Sequence, residues 1–95
     1  MKKLKISLSD EWVLEHRDDK KLPTEVLKSF VERVHGNYLS CRFSSVSDIY
    51  LDVKNQAFNI GVFIASLSHF LEDDYSLDEP GDVFSVEFYD EEVGE

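Results

Sequence analysis

Apolar and polar residues alternate in three separate stretches of the chain. Residues 3–9 alternate strictly, which predicts a strand with one buried face. Residues 48–53 and 84–89 alternate in the same way. Residues 37–43 precede the second of these strands and are separated from it by a serine-rich turn at 44–47, so the two are predicted to form a β-hairpin.

Two other segments have the spacing of helices. Residues 23–35 carry one apolar stripe at helical period, begin with a proline and end before Gly36, which is expected to cap the helix in the left-handed conformation. Residues 57–71 are ambiguous, because their apolar positions fit a helix face while a glycine and several β-branched residues favour a strand. The length of the segment favours a helix, with Asn55 or Asn59 as its cap.

These elements together predict an α+β fold. Residues 10–21 are polar and predicted to form a loop, in which Trp12 is either a further anchor for a partner or, as the favoured alternative, a lid on the core. The order β-α-β-β-α-β predicts a four-stranded, mostly antiparallel sheet with one or two helices on one face. If residues 57–71 form a strand instead, the sheet is larger and carries one helix. A length of 95 residues predicts a single domain, 1–95, whose residues 91–95 form a frayed acidic tail.

Charge is distributed unevenly along this pattern. The chain has 20 acidic and 10 basic residues and a formal net charge of −10. All ten basic residues lie at or before Lys54, where nine acids leave a net charge of +1; residues 55–95 hold eleven acids and no Lys or Arg. An acidic chain is not expected to bind nucleic acid or an anionic membrane directly, because both attract basic proteins. With 31 Val, Ile, Leu and Phe residues it is expected to fold.

The residue types that carry catalysis or bind metals are sparse. His16, His35 and His69 lie far apart and lack metal-ligand spacing, and a structural role is expected for His35. Cys41, the one cysteine, lies in an alternating segment and is expected to be a buried small hydrophobe. The acids at 73–79 do not follow the order of a calcium loop. We therefore expect no cofactor, no metal and no enzymatic activity, and a cytoplasmic location.

The acidic C-terminal region contains aromatic and β-branched residues, which a purely solubilising tail does not need. Tyrosines anchor protein interfaces, and complementary charge accelerates association. The sequence therefore predicts a surface for a basic protein partner. The candidate partner-binding residues are Asp73, Asp74, Tyr75, Asp78, Glu79, Asp82, Glu87, Tyr89 and Asp90.

The last third of the chain resembles the immunity proteins that bacteria make against their own nuclease toxins, of the cloacin and colicin type. The resemblance lies in Ala57-Phe58-Asn59-Ile60, an apolar stretch ending in Phe70, an acidic turn, and the aromatic and acidic sequence VFSVEFYD at residues 83–90. It implies a small acidic cytoplasmic protein, built on an antiparallel sheet with a helix, that binds a nuclease toxin tightly. No binding position is transferred from that family, because no motif matches residue for residue.

Two alternatives remain open from the sequence. The chain could be a DNA mimic of the phage type that blocks a restriction or CRISPR nuclease, since such a protein needs the same acidic surface. It could also be a small regulatory or structural domain whose acidity serves solubility, for example a homodimer formed through its sheet.

Overall fold

The computed structural model describes residues 3–89; the candidate Asp90 and the predicted tail at 91–95 lie outside the described residues. Its elements, in chain order, are β1 (Lys3–Leu8), α1 (Asp10–Glu15), α2 (Pro23–His35), β2 (Leu39–Ser44), β3 (Asp48–Val53), α3 (Ile60–Tyr75), a 3-10 helix (Pro80–Asp82) and β4 (Phe84–Tyr89).

The four strands form one sheet in the order β2-β3-β1-β4, and every neighbouring pair is antiparallel. The predicted α+β class is confirmed. Strand β1 is central: Ile6 lies opposite Ile49 of β3 and Val86 of β4. Since side chains directly opposite share a face, Leu4 and Leu8 lie on this inner face too, while β1 directs its lysines to the outer face.

The inner face of the sheet and the helices enclose one hydrophobic core. Helix α2 packs mainly on β2, and apolar residues of α1 and α3 complete the cluster. The core side chains that are fully buried include Leu4, Ile6, Leu27, Val31, Ile49, Leu51, Phe63, Leu67 and Leu71. Most of the apolar positions that alternate or repeat at helical period in the sequence meet in this core, whereas Val34 of α2 and Phe88 of β4 are 49% and 47% exposed.

Polar and aromatic side chains interact with one another on the outer face. The carboxylate of Asp52 accepts a hydrogen bond from Lys3 Nζ at 2.9 Å and pairs with Arg42 Nε at 2.7 Å. Lys5 Nζ lies 5.7 Å from the ring centre of Tyr50, within range of a cation–π interaction. The basic residues of β1 and β2 are thus engaged within the sheet itself.

The helices resolve one ambiguity of the sequence pattern and differ from it in two respects. Residues 60–75 form a helix, capped by the Asn59 side chain, which accepts a hydrogen bond from the Val62 N–H at 3.0 Å. Helix α1 is an additional element, because the predicted loop buries Trp12 against the core. The left-handed conformation predicted at Gly36 is wrong: its φ is −61°, and glycine is needed there because a Cβ would lie 2.5 Å from the Glu32 carbonyl oxygen.

Burial in the core predicts the effect of two matched substitutions. Leu67→Ala removes a fully buried side chain from α3 and should lower the free energy of unfolding by about 2–5 kcal/mol. Leu14→Ala removes the same atoms from α1, where the side chain is 60% exposed, and should cost less than about 1 kcal/mol. Urea unfolding of both variants measures the difference, and equal losses would contradict this description of the core.

Candidate functional site

Helix α3 and the segment after it place six of the nine candidate residues at one end of the fold. Asp73, Asp74 and Tyr75 form the last turn of α3. Ser76 ends the helix with a left-handed φ of 54°, and the chain turns through Asp78 into the 3-10 helix, which packs against α3. We call this region the acidic end; its carboxylates, all exposed, are Asp73, Asp74, Asp78, Glu79 and Asp82.

Tyr75 differs from its acidic neighbours because its ring is half-buried within the fold. It packs edge-on against Trp12 and His16, with ring centres 5.0 and 5.1 Å away. Burial raises the pKa of Tyr75, and the negative charges of Asp19 and Asp74 raise it further. The tyrosine hydroxyl therefore lies near carboxylates from two distant parts of the sequence.

The sequence pattern did not predict the contribution of residues 12–19 to the acidic end. Trp12 is buried beneath Tyr75, and His16 Nδ1 lies 2.9 Å from Asp19 Oδ2. Helix α1 carries Trp12 and is capped at its C-terminus by His16, and its six residues are too few to show a clear helical period. The apolar triplet Trp12-Val13-Leu14 within a polar stretch was the one available signal.

Glu79 and Asp82 show how concentrated the negative charge is. A hydrogen bond between the two carboxyl groups, together with the charge of Asp82, raises the pKa of Glu79 although the group is fully exposed. Two neighbouring carboxyl groups repel when both are ionised, so they share a proton more readily than separate groups would. A cation placed between them would relieve this repulsion.

Basic side chains do not neutralise the acidic end. Within residues 3–89, the carboxylates of the acidic end form no ion pair with a Lys or Arg, and the neighbouring Glu72 contacts only the exposed His69, at 3.5 Å. The last turn of α3 also lacks basic residues. Acids at a helix C-terminus face the negative end of the helix dipole, which disfavours each by about 0.3–1 kcal/mol.

The remaining candidate residues lie apart from the acidic end. Glu87 and Tyr89 belong to β4, opposite Lys5 and Lys3 of β1, and are therefore on the outer-face positions of the sheet. At about 3.4 Å per residue, Tyr89 is roughly 17 Å along the strand from Phe84. The structure thus divides the predicted surface into an acidic end and a separate pair of positions on β4.

A small cavity lies at the opposite end of α3. It has a volume of about 220 Å³ and is lined mainly by aromatic and aliphatic groups, among them Phe58, Phe63 and His35. His35 Nε2 lies 3.2 Å from the Ser66 hydroxyl oxygen, and the imidazole packs edge-on against Phe30 and Phe63. Burial lowers the pKa of His35. These contacts give His35 a structural role, as predicted.

The described residues offer neither a metal site nor a reactive thiol. Within residues 3–89, no group of three or more His, Cys, Asp or Glu side chains is placed to hold a metal ion. Cys41 is half-buried in β2, and its burial raises the pKa of its thiol to about 11. The negative charge of Glu32 also raises this pKa, and the positive charge of Lys28 partly offsets the increase. A thiol with this pKa is a poor nucleophile at neutral pH.

Comparison of the chain with protein-family models, with curated proteins and with solved structures gives no match. Over the part of the chain that the structure covers, no helix combines the length and the apolar character needed to cross a membrane.

The raised pKa of Cys41 predicts slow modification of the folded chain. The pKa of the Cys41 thiol is raised from 9.0 to about 11, so near pH 8 its thiolate fraction is about 100-fold smaller than that of an ordinary thiol. Its reaction with a thiol-specific disulfide reagent should slow by about the same factor. The same chain unfolded in urea is the control and should react at the ordinary rate. Equal rates in the two states would contradict the description of this thiol.

The lowered pKa of His35 predicts a dependence of stability on pH. The folded state binds a proton at His35 less readily than the unfolded state, whose value is near 6.5, so this residue's contribution is present above pH 6.5 and is lost as pH falls below it. His35→Gln should therefore lose less stability than the wild type between pH 7.5 and pH 5.5. His69→Gln, at an exposed position of α3, controls for the removal of a histidine; urea unfolding at both pH values measures the effect.

Proposed function

We propose that this chain is an acidic inhibitor of the immunity or antitoxin type, which neutralises a basic nuclease toxin in the cytoplasm by binding it, without catalysis. The observation that carries the proposal is the acidic end: exposed carboxylates that have no Lys or Arg partner among the described residues, two of which, Asp73 and Asp74, lie at the unfavourable end of a helix dipole. Such an arrangement lowers the stability of the isolated chain, and a basic partner would remove that cost.

The surroundings of the acidic end support a protein partner rather than a small ion. Trp12, His16 and Tyr75 form a packed aromatic cluster next to the carboxylates. This packing fixes the position of the last turn of α3, which carries Asp73 and Asp74. Asp74 of α3 and Asp19 of the loop that follows α1 both act on the Tyr75 hydroxyl, so two separate parts of the chain contribute negative charge to this region. A surface of this kind can pair with several Lys and Arg side chains at once, as the phosphate-binding groove of a nuclease would present them.

The experiment that tests this function begins with affinity capture, using the full chain as bait in its native host. We expect a basic nuclease to be retained at low ionic strength and released as salt increases. The captured protein then serves as the ligand for kinetic measurements, and its nuclease activity should fall to zero at a 1:1 ratio of the two chains. Retention of no basic protein, or an unchanged nuclease activity, would refute the proposal.

Charge reversal of the acidic end should slow association with that partner. Asp74→Lys combined with Asp78→Lys is expected to reduce the association rate at low salt by about tenfold or more, with a smaller change in the dissociation rate. The control combines Glu32→Lys with Asp48→Lys, which changes net charge by the same amount on α2 and β3. An equal effect of both pairs would show that net charge matters and that the acidic end does not.

A further inference from the structure

Strand β4 forms one edge of the sheet. It pairs with β1 in a continuous register from Lys3 opposite Tyr89 to Leu8 opposite Phe84, without a bulge. On its other side, no strand from residues 3–89 pairs with it. An edge of this kind is a template for another extended chain, because half of its backbone groups point outward.

One backbone hydrogen bond shows which residues of β4 direct their N–H and C=O groups outward. The Ser9 N–H donates to the Val83 carbonyl at 2.7 Å, which makes these residues a hydrogen-bonded pair at the end of the β1–β4 ladder. Because such pairs occur at every second residue of an antiparallel ladder, Ser85 and Glu87 direct their backbone groups toward β1. Val86 therefore directs its N–H and C=O away from β1.

The central strand confirms this alternation independently. The Leu8 N–H donates to the Ser47 carbonyl at 2.8 Å, on the β3 side of β1. The backbone groups of Leu8 and Ile6 therefore point toward β3, and those of Ser7, which lies between them, point toward β4. Phe84 lies opposite Leu8 and, like Val86 opposite Ile6, has its backbone groups on the open side of the sheet.

Among the described residues, the opposite edge of the sheet, β2, has a bulge and a basic side chain that β4 lacks. The register of β2 shifts between Cys41 and Phe43, so Arg42 sits in a bulge, and its guanidinium group pairs with Asp52 at 2.7 Å. Bulges and charged side chains discourage further pairing at an edge. Strand β4 contains no proline, no basic residue and no bulge.

We infer that the open edge of β4 accepts an extended strand of a basic protein as the fifth strand of the sheet. This rests on the proposed function, because the partner's charge is taken from it, and it adds the mode of binding. Strand β4 follows Asp78, Glu79 and Asp82 directly and carries Glu87 itself. A second copy of this chain would bring the same acids to the joined edge and is disfavoured by repulsion.

The two faces of β4 define the side chains that such a strand would carry. Phe88 lies on the inner face and is 47% exposed, whereas Glu87 is exposed on the outer face. An added strand with alternating side chains would place apolar residues beside Phe88 and Lys or Arg beside Glu87. The strand that fits is therefore both alternating and basic.

The test uses the full, ¹⁵N-labelled chain and a synthetic probe, acetyl-Lys-Val-Lys-Val-Lys-Val-Lys-amide. At saturating peptide, NMR should show that the Phe84 and Val86 amides shift and exchange with solvent at least about tenfold more slowly, while the Ser85 and Glu87 amides, already bonded to β1, change little. A peptide with Glu in place of Lys should bind more weakly, and one with N-methylated valines should not bind at the edge.

A pair of variants examines the outward N–H directly. Val86→Pro removes it while leaving the hydrogen bonds from β1 in place, and proline is tolerated in an edge strand where the N–H faces outward. The peptide should bind Val86→Pro about tenfold more weakly than Val86→Ala, which loses side-chain atoms but keeps the N–H. Thermal unfolding shows whether both variants fold. If Val86→Pro does not fold, the alternating amide protection of the peptide-bound wild type decides whether the added strand pairs with β4.

Several outcomes would overturn the inference: changes centred on β2 or the outer face, equal binding of the Lys and Glu peptides, binding that survives N-methylation, or a dimer of this chain joined at β4. Failure here and failure of the proposed function are distinguishable. If no peptide binds at the β4 edge but charge reversal at Asp74 and Asp78 slows the association of a captured nuclease with this chain, only the proposed strand addition is wrong. If the peptide occupies the edge and no nuclease is captured, only the proposed function is wrong.

Discussion

The structure depends on the burial of one side of a single central strand. Strand β1 is hydrogen-bonded on both edges and fully buries Leu4 and Ile6 on its inner face. That burial fixes the register of both neighbours, because a shift of one residue would move the apolar side chains to the outer face. The helices pack on the face that results, and the position of α3 in turn determines where the acidic end lies.

Elements with a long, regular pattern could be predicted from the sequence, and those that depend on distant contacts could not. The bounds of α2 and β3 agree with the residue pattern, because their apolar positions repeat clearly and turn residues flank them. Helix α1 was missed since its stability comes from Trp12, which packs on Tyr75 far along the chain. For 57–71, the pattern was ambiguous, and the Asn59 cap and tertiary packing favour the helix.

The residues of the candidate site could likewise be predicted where they are close in sequence, but not where distant contacts bring them together. Acids that are close in sequence, from Asp73 to Asp82, do lie together, because one helix end and one short turn hold them. Glu87 is only five residues further but points to the outer face of the sheet, and period-two alternation determines this once β4 has paired with β1. Asp19, in the loop after α1, adds its charge near Tyr75 through the tertiary fold, which the spacing of residues along the sequence does not encode.

The order of the strands along the chain differs from their order in the sheet, and this affects synthesis on the ribosome. Strand β1 precedes every other described element, and β4, its second neighbour, follows them all. A nascent chain that has emerged through α3 can pair β1 with β3 but leaves its other edge open. During that interval the sheet has three strands and an exposed central template, so the time until β4 emerges is when this chain is most exposed to mispairing and most in need of chaperones.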